Sequence, residues 1–468
     1  MQYIALPNDD TIAAIATPLG QGGIAIIRVS GKESIDIFRK VFKRPEGSRG
    51  VLDFESHRLY KGQVIDSSSD KSIDNVLGVV MKSPHSYTGE DVVEIHCHGG
   101  HLAPKKIIGI LFEAGARPAQ PGEFTLRAFL NGKIDLAQAE AVVDIVNAQT
   151  EEGLKQAELQ LEGLLSKKIN DLKETLLDVL AEVEANVDFP EEDIDPLVKD
   201  QMLVRTEGVL NELKKLIETY GHGRIIKNGI YTAILGKPNV GKSSLLNQLV
   251  MKDRAIVTPY PGTTRDFIEE TVDIKGIPLR LVDTAGLRST TDEIESIGVE
   301  LTKKKIYEAE FIIALIDGSI GLDEDDISIL KNLRDRIAII ALNKIDIPQV
   351  VKEETVREFS PDLKIIKISA KQGTGLEELK IAIYDTLLDN EKVYDGTEVI
   401  LSELRHKVAI QRAEKSLNSF LESVKRGDSP EFLAVDLRYA MDSLGEITGE
   451  ITTEDLLEKV FSKFCIGK

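Results

Sequence analysis

The chain carries only two cysteines, Cys97 and Cys465, in 468 residues. That is too few for a disulfide framework and points to a reducing compartment. Long apolar runs are missing too. No stretch reaches the roughly 18–20 continuous apolar residues that span a bilayer. The longest uncharged segment near the start, Ile12–Ile27, is interrupted by Pro18, Gly20, Gly22 and Gly23. The first charges, Asp9 and Asp10, have the wrong sign for a secretory signal. A soluble, cytoplasmic protein with no membrane partner is expected. A basic excess is also absent: 58 Lys and Arg against 78 Asp and Glu leave a net charge of −20. This argues against a dedicated nucleic-acid coat, whose affinity rests on clustered cations. The deficit is uneven, since residues 1–131 are neutral overall while 132–227 carry −10. A polyanion is therefore expected at the first region or at a surface between subunits. No internal repeat and no low-complexity tract is visible.

What is present is an ordinary globular balance, 42% hydrophobic and 29% charged. The length suits about three domains at roughly 150 residues each. Residues 1–131 hold short apolar runs, Ile24–Val29, Val76–Met81 and Val92–His96, between Gly- and Ser-rich turns. They predict a small mixed α/β domain. From Asp135 the texture becomes helical. Leu161, Leu165, Ile169, Leu172, Leu176, Leu180, Val183 and Val187 keep one apolar stripe along a long helix that Pro190 ends. The stripe reads as domain core rather than as a free-standing coiled coil. A second helix is predicted over 195–220, with Gly221 and Gly223 marking a linker. Residues 228–389 alternate short β-branched runs (Ile230–Gly236, Leu279–Asp283, Phe311–Asp317, Ala338–Lys344 and Leu363–Ser369) with helices. That is the order of a doubly wound parallel sheet. Helices return at Leu401–Arg426, Phe432–Ile447 and Thr453–Phe464, the last with Thr452 as N-cap.

The chemistry is concentrated in the third stretch. Gly236-Lys237-Pro238-Asn239-Val240-Gly241-Lys242-Ser243 fits the P-loop pattern, after a strand and opening a helix. Its glycines let backbone N–H groups converge on phosphate, and the helix N-terminus adds positive potential. Lys242 should reach the terminal phosphates and Ser243 should bind Mg²⁺. Asp283-Thr284-Ala285-Gly286 ends a strand where a Walker-B aspartate and a γ-phosphate-sensing glycine belong. Asn343-Lys344-Ile345-Asp346 ends another, and an aspartate there can accept two hydrogen bonds from guanine that adenine cannot offer. Ser369-Ala370-Lys371 can close over the base. This set, in this order, resembles the small GTPase superfamily. The expected nucleotide site is Asn239, Val240, Gly241, Lys242, Ser243, Ser244, Thr258, Thr263, Thr264, Asp283, Thr284, Ala285, Gly286, Asn343, Lys344, Asp346, Ser369, Ala370 and Lys371. After Gly286, where many GTPases carry a water-orienting glutamine, stands Leu287, so positive charge and water positioning must come from elsewhere. Thr264 is a natural second Mg²⁺ ligand. Asn239, with oxygens from Thr258–Thr263, can hold a monovalent cation; Tyr260 would contribute only its carbonyl. The predicted fold class is thus multidomain α/β plus all-α. An N-terminal α/β domain (1–131) precedes a helical domain (132–227 and 390–468) with an inserted doubly wound, Ras-like P-loop GTPase domain (228–389).

Beyond these motifs, the chain resembles the MnmE (TrmE) family of bacterial tRNA-modification GTPases over nearly its whole length. The resemblance is carried by Ala16-Thr17-Pro18, Gly22-Gly23, Arg28-Val29-Ser30-Gly31, Tyr87-Thr88-Gly89-Glu90-Asp91 and His98-Gly99-Gly100. It continues in Pro121-Gly122-Glu123-Phe124-Thr125, in residues 127–133, in Asp188-Phe189-Pro190-Glu191-Glu192 and in the terminal Cys465-Ile466-Gly467-Lys468. It implies an N-terminal domain that dimerises and binds 5-formyl-tetrahydrofolate or a related one-carbon folate through Arg28, Glu90, Lys133 and Lys468. It implies a K⁺- and Mg²⁺-dependent GTPase activated when two G domains of a homodimer meet. K⁺ would lie on Asn239, Thr258, Tyr260 and Thr263, and Mg²⁺ on Ser243 and Thr264. Glu295 would position water, and Lys242 and Cys465 would serve in catalysis. The family acts with the FAD-binding partner MnmG (GidA), as a heterotetramer, on the wobble uridine of tRNA, installing a carboxymethylaminomethyl or aminomethyl group on carbon 5. No dinucleotide fingerprint for FAD is present in this chain.

Plainer alternatives stand beside these. A ribosome-assembly or translation-associated GTPase would share every G motif. A folate-binding module with a regulatory GTPase is a third reading. His96, Cys97, His98 and His101 suggest zinc by proximity, but a strand puts Cys97 on the opposite face from the flanking histidines. Lys303-Lys304-Lys305 reads as a solvated helix face or as a tRNA contact.

Overall fold

The computed structural model describes residues 10–18, 20–44, 53–66, 69, 71–188, 196–253, 269–282, 308–388 and 398–468. Its contacts divide the chain into two compact units, Met1–Val143 with Gly445–Lys468, and Asp144–Leu444.

The first unit holds strands β1 (Ile12–Ile15), β2 (Ile24–Ser30), β3 (Phe42–Lys43), β4 (Leu59–Asp66), β5 (Lys71–Met81), β6 (Val92–His98) and β7 (Arg117–Pro118). Helices α1 (Ser34–Val41), α2 (Leu102–Glu113) and α3 (Glu123–Leu130) lie between and after them. The strands form one sheet in the order β3-β4-β5-β6-β2-β1-β7. The two-residue strand period sorts the side chains by face. On β6, Val93, Ile95 and Cys97 are buried, and with Ile27 and Val29 of β2 they pack under Ile37 and Phe38 of α1 and Ile107 and Leu111 of α2. Glu94 and His96 point to the other face, and antiparallel register sets Arg28 directly across from Glu94. His98 Nδ1 lies 2.6 Å from Asp74, and His96 Nε2 lies 3.4 Å from Glu94. Among the described residues no group of His, Cys, Asp and Glu has the arrangement of a metal site.

Helices α4 (Leu136–Asn147), α5 (Glu151–Leu161), α6 (Leu164–Asp188) and α7 (Pro196–Asn228) follow. Two expectations are corrected here. The apolar stripe does not run through one helix: Gly163, at φ +84°, interrupts the helix, so Leu161 ends α5 and the buried row from Leu165 to Val183 belongs to α6. Nor do Gly221 and Gly223 form a linker, because α7 runs straight through both. Gly223 serves a close approach instead. A Cβ there would stand 2.3 Å from the Leu401 carbonyl oxygen, and one turn earlier Thr219 Oγ1 accepts the Leu401 amide at 2.9 Å.

Next come β8 (Ile230–Leu235), α8 (Lys242–Asp253), β9 (Glu269–Ile274), β10 (Ile277–Val282), β11 (Phe311–Asp317), α9 (Glu324–Asn332), β12 (Ala338–Asn343), α10 (Glu353–Arg357), β13 (Lys364–Lys367) and α11 (Leu376–Leu387). These strands form a second sheet, β13-β12-β11-β8-β10-β9. All neighbours are parallel except β10 and β9. Strands β11 and β12 are buried on both faces, which explains their unbroken apolar runs. Ile313, Leu315, Ile339 and Ala341 enter one core, whereas Ile312, Ile316, Ile340 and Leu342 enter the other.

Helices α12 (Leu404–Arg426), α13 (Pro430–Thr448) and α14 (Glu454–Phe461) complete the chain. Helix α12 lies against α7, so the helical stretches before and after the second sheet meet. The N-cap of α14 is Thr453, not Thr452: its hydroxyl accepts the Leu456 amide, leaving Glu454 and Asp455 in the first turn. Leu457, Phe461 and Phe464 pack with Leu126 of α3, and Gly122, at φ +70°, leaves room for the Phe461 carbonyl. No helix among the described residues is long and apolar enough to cross a membrane.

Candidate functional site

The carboxyl end of β8 runs into the phosphate loop. Gly236, at φ +150°, lies so near β11 that a Cβ would stand 2.5 Å from the Leu315 carbonyl oxygen. Asn239, at φ +62°, occupies the left-handed region, which asparagine tolerates better than most residues. The Lys242 ammonium is held inside the loop, donating to the Gly236 and Lys237 carbonyls at 2.7 and 2.8 Å. Ser243 and Ser244 are exposed in the first turn of α8. Backbone N–H groups at a helix start, a lysine and a hydroxyl are what a nucleotide phosphate and its Mg²⁺ require.

The base loops converge on the same place through Asn343. Its Nδ2 donates to the Val240 carbonyl at 2.7 Å, and its Oδ1 accepts the Ala370 amide at 2.9 Å. One side chain, 2% exposed, thereby ties the phosphate loop to the loop after β13. Gly241, at φ +111°, is the glycine this demands, since a Cβ would stand 2.4 Å from Asn343 Nδ2. Ser369 Oγ donates to Asp346 Oδ1 at 2.7 Å, which aims the carboxylate and leaves its second oxygen to other donors. Lys344, at φ +67°, lies 2.6 Å from Asp317 at the end of β11. Burial alone would raise the Asp317 pKa, but hydrogen bonds from Lys344 and Ser319 outweigh it and hold the carboxyl below its ordinary value. Lys371 is exposed beside Ala370.

The structure therefore brings together Asn239, Val240, Gly241, Lys242, Ser243 and Ser244 with Asn343, Lys344, Asp346, Ser369, Ala370 and Lys371. Thr258, Tyr260, Thr263, Thr264, Asp283, Thr284, Ala285, Gly286 and Glu295 lie outside the described residues, as do Leu287 and Lys303–Lys305.

A second cluster is built in the first unit. The Arg28 guanidinium pairs with Glu94 at 2.9 Å, lies 5.3 Å from the Tyr87 ring and 5.7 Å from the Phe124 ring, and reaches the Gly467 carbonyl at 3.5 Å. Glu90 accepts from Ser30 Oγ at 2.7 Å and from Arg127 at 3.2 Å. Lys133 donates to the Pro84 carbonyl at 3.0 Å. Burial lowers the Lys468 pKa; Cys465 opposes that and Arg28 adds to it. Cations, the carboxylates of Glu90 and Glu94 and aromatic faces within one unit suit a flat polar ligand with acidic groups, so the donor set fits a folate. Cys465 is exposed, whereas Cys97 is buried.

Sequence reasoning missed the groups behind this cluster. Arg127, 1% exposed, bridges Asp10, Glu90 and Glu123, while Arg117 pairs with Asp10 and Glu123. Burial would raise the Glu123 pKa, but Arg117 chiefly reverses this and holds the carboxyl below its usual value. One signal was available: Arg127 interrupts the apolar run from Phe124 to Leu130, and a buried arginine needs carboxylates.

Two family models match the chain: the MnmE helical domain over residues 136–465, and the GTP-binding protein TrmE N-terminus over 11–133. A tRNA modification GTPase MnmE of Geobacter sulfurreducens is 46% identical over 460 residues, covering 98% of this chain and 99% of its own. Those of Alkaliphilus oremlandii and Clostridioides difficile are each 45% identical, with the same coverage. Among solved structures, the G domain of the T. maritima FeoB iron transporter is 26% identical over 34% of this chain and 98% of its own, with a TM-score of 0.26.

Proposed function

The chain belongs to the MnmE family of tRNA modification GTPases, and from that premise we propose how its residues divide the work. The protein is a GTP hydrolase that acts with MnmG in modifying the tRNA wobble uridine. The observation that carries the nucleotide assignment is the convergence of the phosphate loop, Asn343 and the Asp346–Ser369 pair at one end of the second sheet. Loop amides and Lys242 bind the phosphates, and Asp346 selects guanine by accepting from its ring N–H and amino group. Ser243 and Thr264 hold Mg²⁺, which neutralises phosphate charge when bound. Asn239, Thr258, Tyr260 and Thr263 hold K⁺, which supplies the positive charge that an arginine finger gives other GTPases. Hard oxygen donors are what both ions prefer, and the Asn239 carboxamide is one. Glu295 orients the attacking water.

GTP pairs the G domains of a homodimer, and their pairing shields the site from water before hydrolysis releases them. In the first unit Arg28, Glu90, Lys133 and Lys468 hold a one-carbon folate, which brings a one-carbon group when bound, and Cys465 serves the modification step. The homodimer joins FAD-binding MnmG in a heterotetramer that takes tRNA. GTP turnover in K⁺ against Na⁺ tests the cation: K⁺ is expected to be faster, up to the roughly 10³–10⁵ of an arginine finger, and equal rates remove it. Asp346→Asn is expected to shift preference from guanine to xanthine nucleotide, and an unchanged preference refutes the base assignment.

A further inference from the structure

The second residue of the phosphate loop has a partner that the nucleotide site does not explain. Lys237 Nζ lies 2.7 Å from Asp323 Oδ2 and 2.6 Å from Asp326 Oδ2. These carboxylates form the capping box of α9, where Asp323 accepts the Asp325 and Asp326 amides and Asp326 accepts the Asp323 amide. Asp326 is 2% exposed, and its Oδ1 has no hydrogen-bond partner among the described residues. Lys237 therefore supplies the positive charge that a buried carboxylate needs. Hydrogen bonds donated to Asp323 and then Asp326 hold the ammonium well above its ordinary pKa.

The same loop is fixed from the other side by Asn343 on the Val240 carbonyl. Between the two anchors stand only Pro238 and Asn239, and Asn239 is left-handed. The Lys237 carbonyl also receives the Lys242 ammonium. We propose that Lys237 is a positioning residue for GTP hydrolysis, holding the Pro238–Asn239 span against α9 so that the Asn239 carboxamide and the Lys242 ammonium stand where the phosphates need them. The part that concerns Asn239 rests on the K⁺ site proposed above; the part that concerns Lys242 does not. Without the anchor the Lys237 carbonyl keeps its contact with the Lys242 ammonium but the loop loses its side-chain tie to α9, and the hold on the left-handed Asn239 loosens.

The test uses the full-length protein with Lys237→Met and Lys237→Arg, reading kcat, the K⁺ concentration for half-maximal turnover and the Kd for GDP. Lys237→Met is expected to lose about tenfold to a hundredfold in kcat, the cost of a displacement of order 1 Å, and to need more K⁺. GDP affinity is expected to fall less than kcat does, because backbone amides still cradle the phosphates, and a loss of GDP affinity as large as the loss in kcat would overturn the proposal. Lys237→Arg should restore kcat, since its fork can engage both carboxylates. Asp326→Asn should lose kcat as Lys237→Met does, with no further loss in the double variant. Wild-type kcat in Lys237→Met, a loss that arginine fails to rescue, or additive losses in the double variant would overturn the proposal. If wild-type turnover is equal in Na⁺ and K⁺, the cation reading fails alone, and the Met–Arg contrast in kcat still decides the role of Lys237.

Discussion

At the scale of single residues, the nucleotide site hangs on Asn343, whose carboxamide donates to the Val240 carbonyl and accepts the Ala370 amide. The phosphate loop, Asp346 and Ser369 follow from what phosphate and guanine demand, so their types and spacing are readable along the chain. Arg127 and Lys237 act on partners far away in sequence, and only the fold reveals Asp10, Glu90 and Asp326 beside them. The glycines carry the sharpest consequence. Gly241→Ala places a Cβ at φ +111° and 2.4 Å from Asn343 Nδ2, so loss of GTP binding is expected in a fluorescent-nucleotide titration; wild-type affinity would show that Asn343 is not the tie. The cysteines give a second test. Burial pushes the Cys97 thiol up to about 11, with Asp74 adding to it, and its Sγ faces the Ala25 carbonyl. Cys465 is exposed. Native protein at pH 8 should therefore react with a thiol reagent at one site, and the second thiol should appear only on unfolding. Two fast thiols would contradict the buried position of Cys97.

At the scale of elements, periodicity located the strands and most helices but misjudged what glycine does within them. The apolar runs that became β8, β11 and β12 were read within a residue or so, because strands buried on both faces leave an unbroken signature. Gly221 and Gly223 signal a linker because glycine disfavours helix, yet Gly223 lies within α7, where it makes room for the Leu401 carbonyl, a contact from far along the chain. Gly223→Ala thus sets two effects against each other. Helix propensity favours alanine by about 1 kcal/mol, whereas a Cβ at 2.3 Å from Leu401 O cannot be accommodated without displacing backbone. The clash should win and lower the melting temperature; a rise would refute the contact. Acid provides another reading of this unit. Hydrogen bonds from Lys168 and then Lys215 hold Glu212 down to about 2, from an ordinary 4.5. A carboxylate with a depressed folded pKa stabilises above its unfolded pKa and gives that up as pH falls toward the folded one. The pair is partly solvated, so Glu212→Gln should cost below about 1 kcal/mol at pH 7. That difference should close between pH 4.5 and 2, and a gap that widens on acidification would contradict the pairing.

At the scale of the whole molecule, the chain interrupts one helical region with a P-loop domain, six-stranded among the described residues, and returns to it. The change of texture between helical and alternating strand–helix stretches makes the inserted α/β region legible, since parallel strands and amphipathic helices have different periods. The packing of Leu457, Phe461 and Phe464 onto Leu126 was not, because long-range hydrophobic pairing has no local signature. This packing sets the terminal Cys465–Lys468 segment in the same unit as Arg28 and Glu90. The phosphate loop and the Arg28–Glu90 cluster therefore occupy different units of one chain. The most direct measurement is mass spectrometry of tRNA wobble uridines from cells lacking this protein, complemented with the wild-type chain or with Gly241→Ala. Loss of the carbon-5 modification on deletion, restored by the wild type and not by Gly241→Ala, is the expected result. Wobble uridines that keep the modification in the deletion strain would contradict a GTP-driven role in tRNA modification.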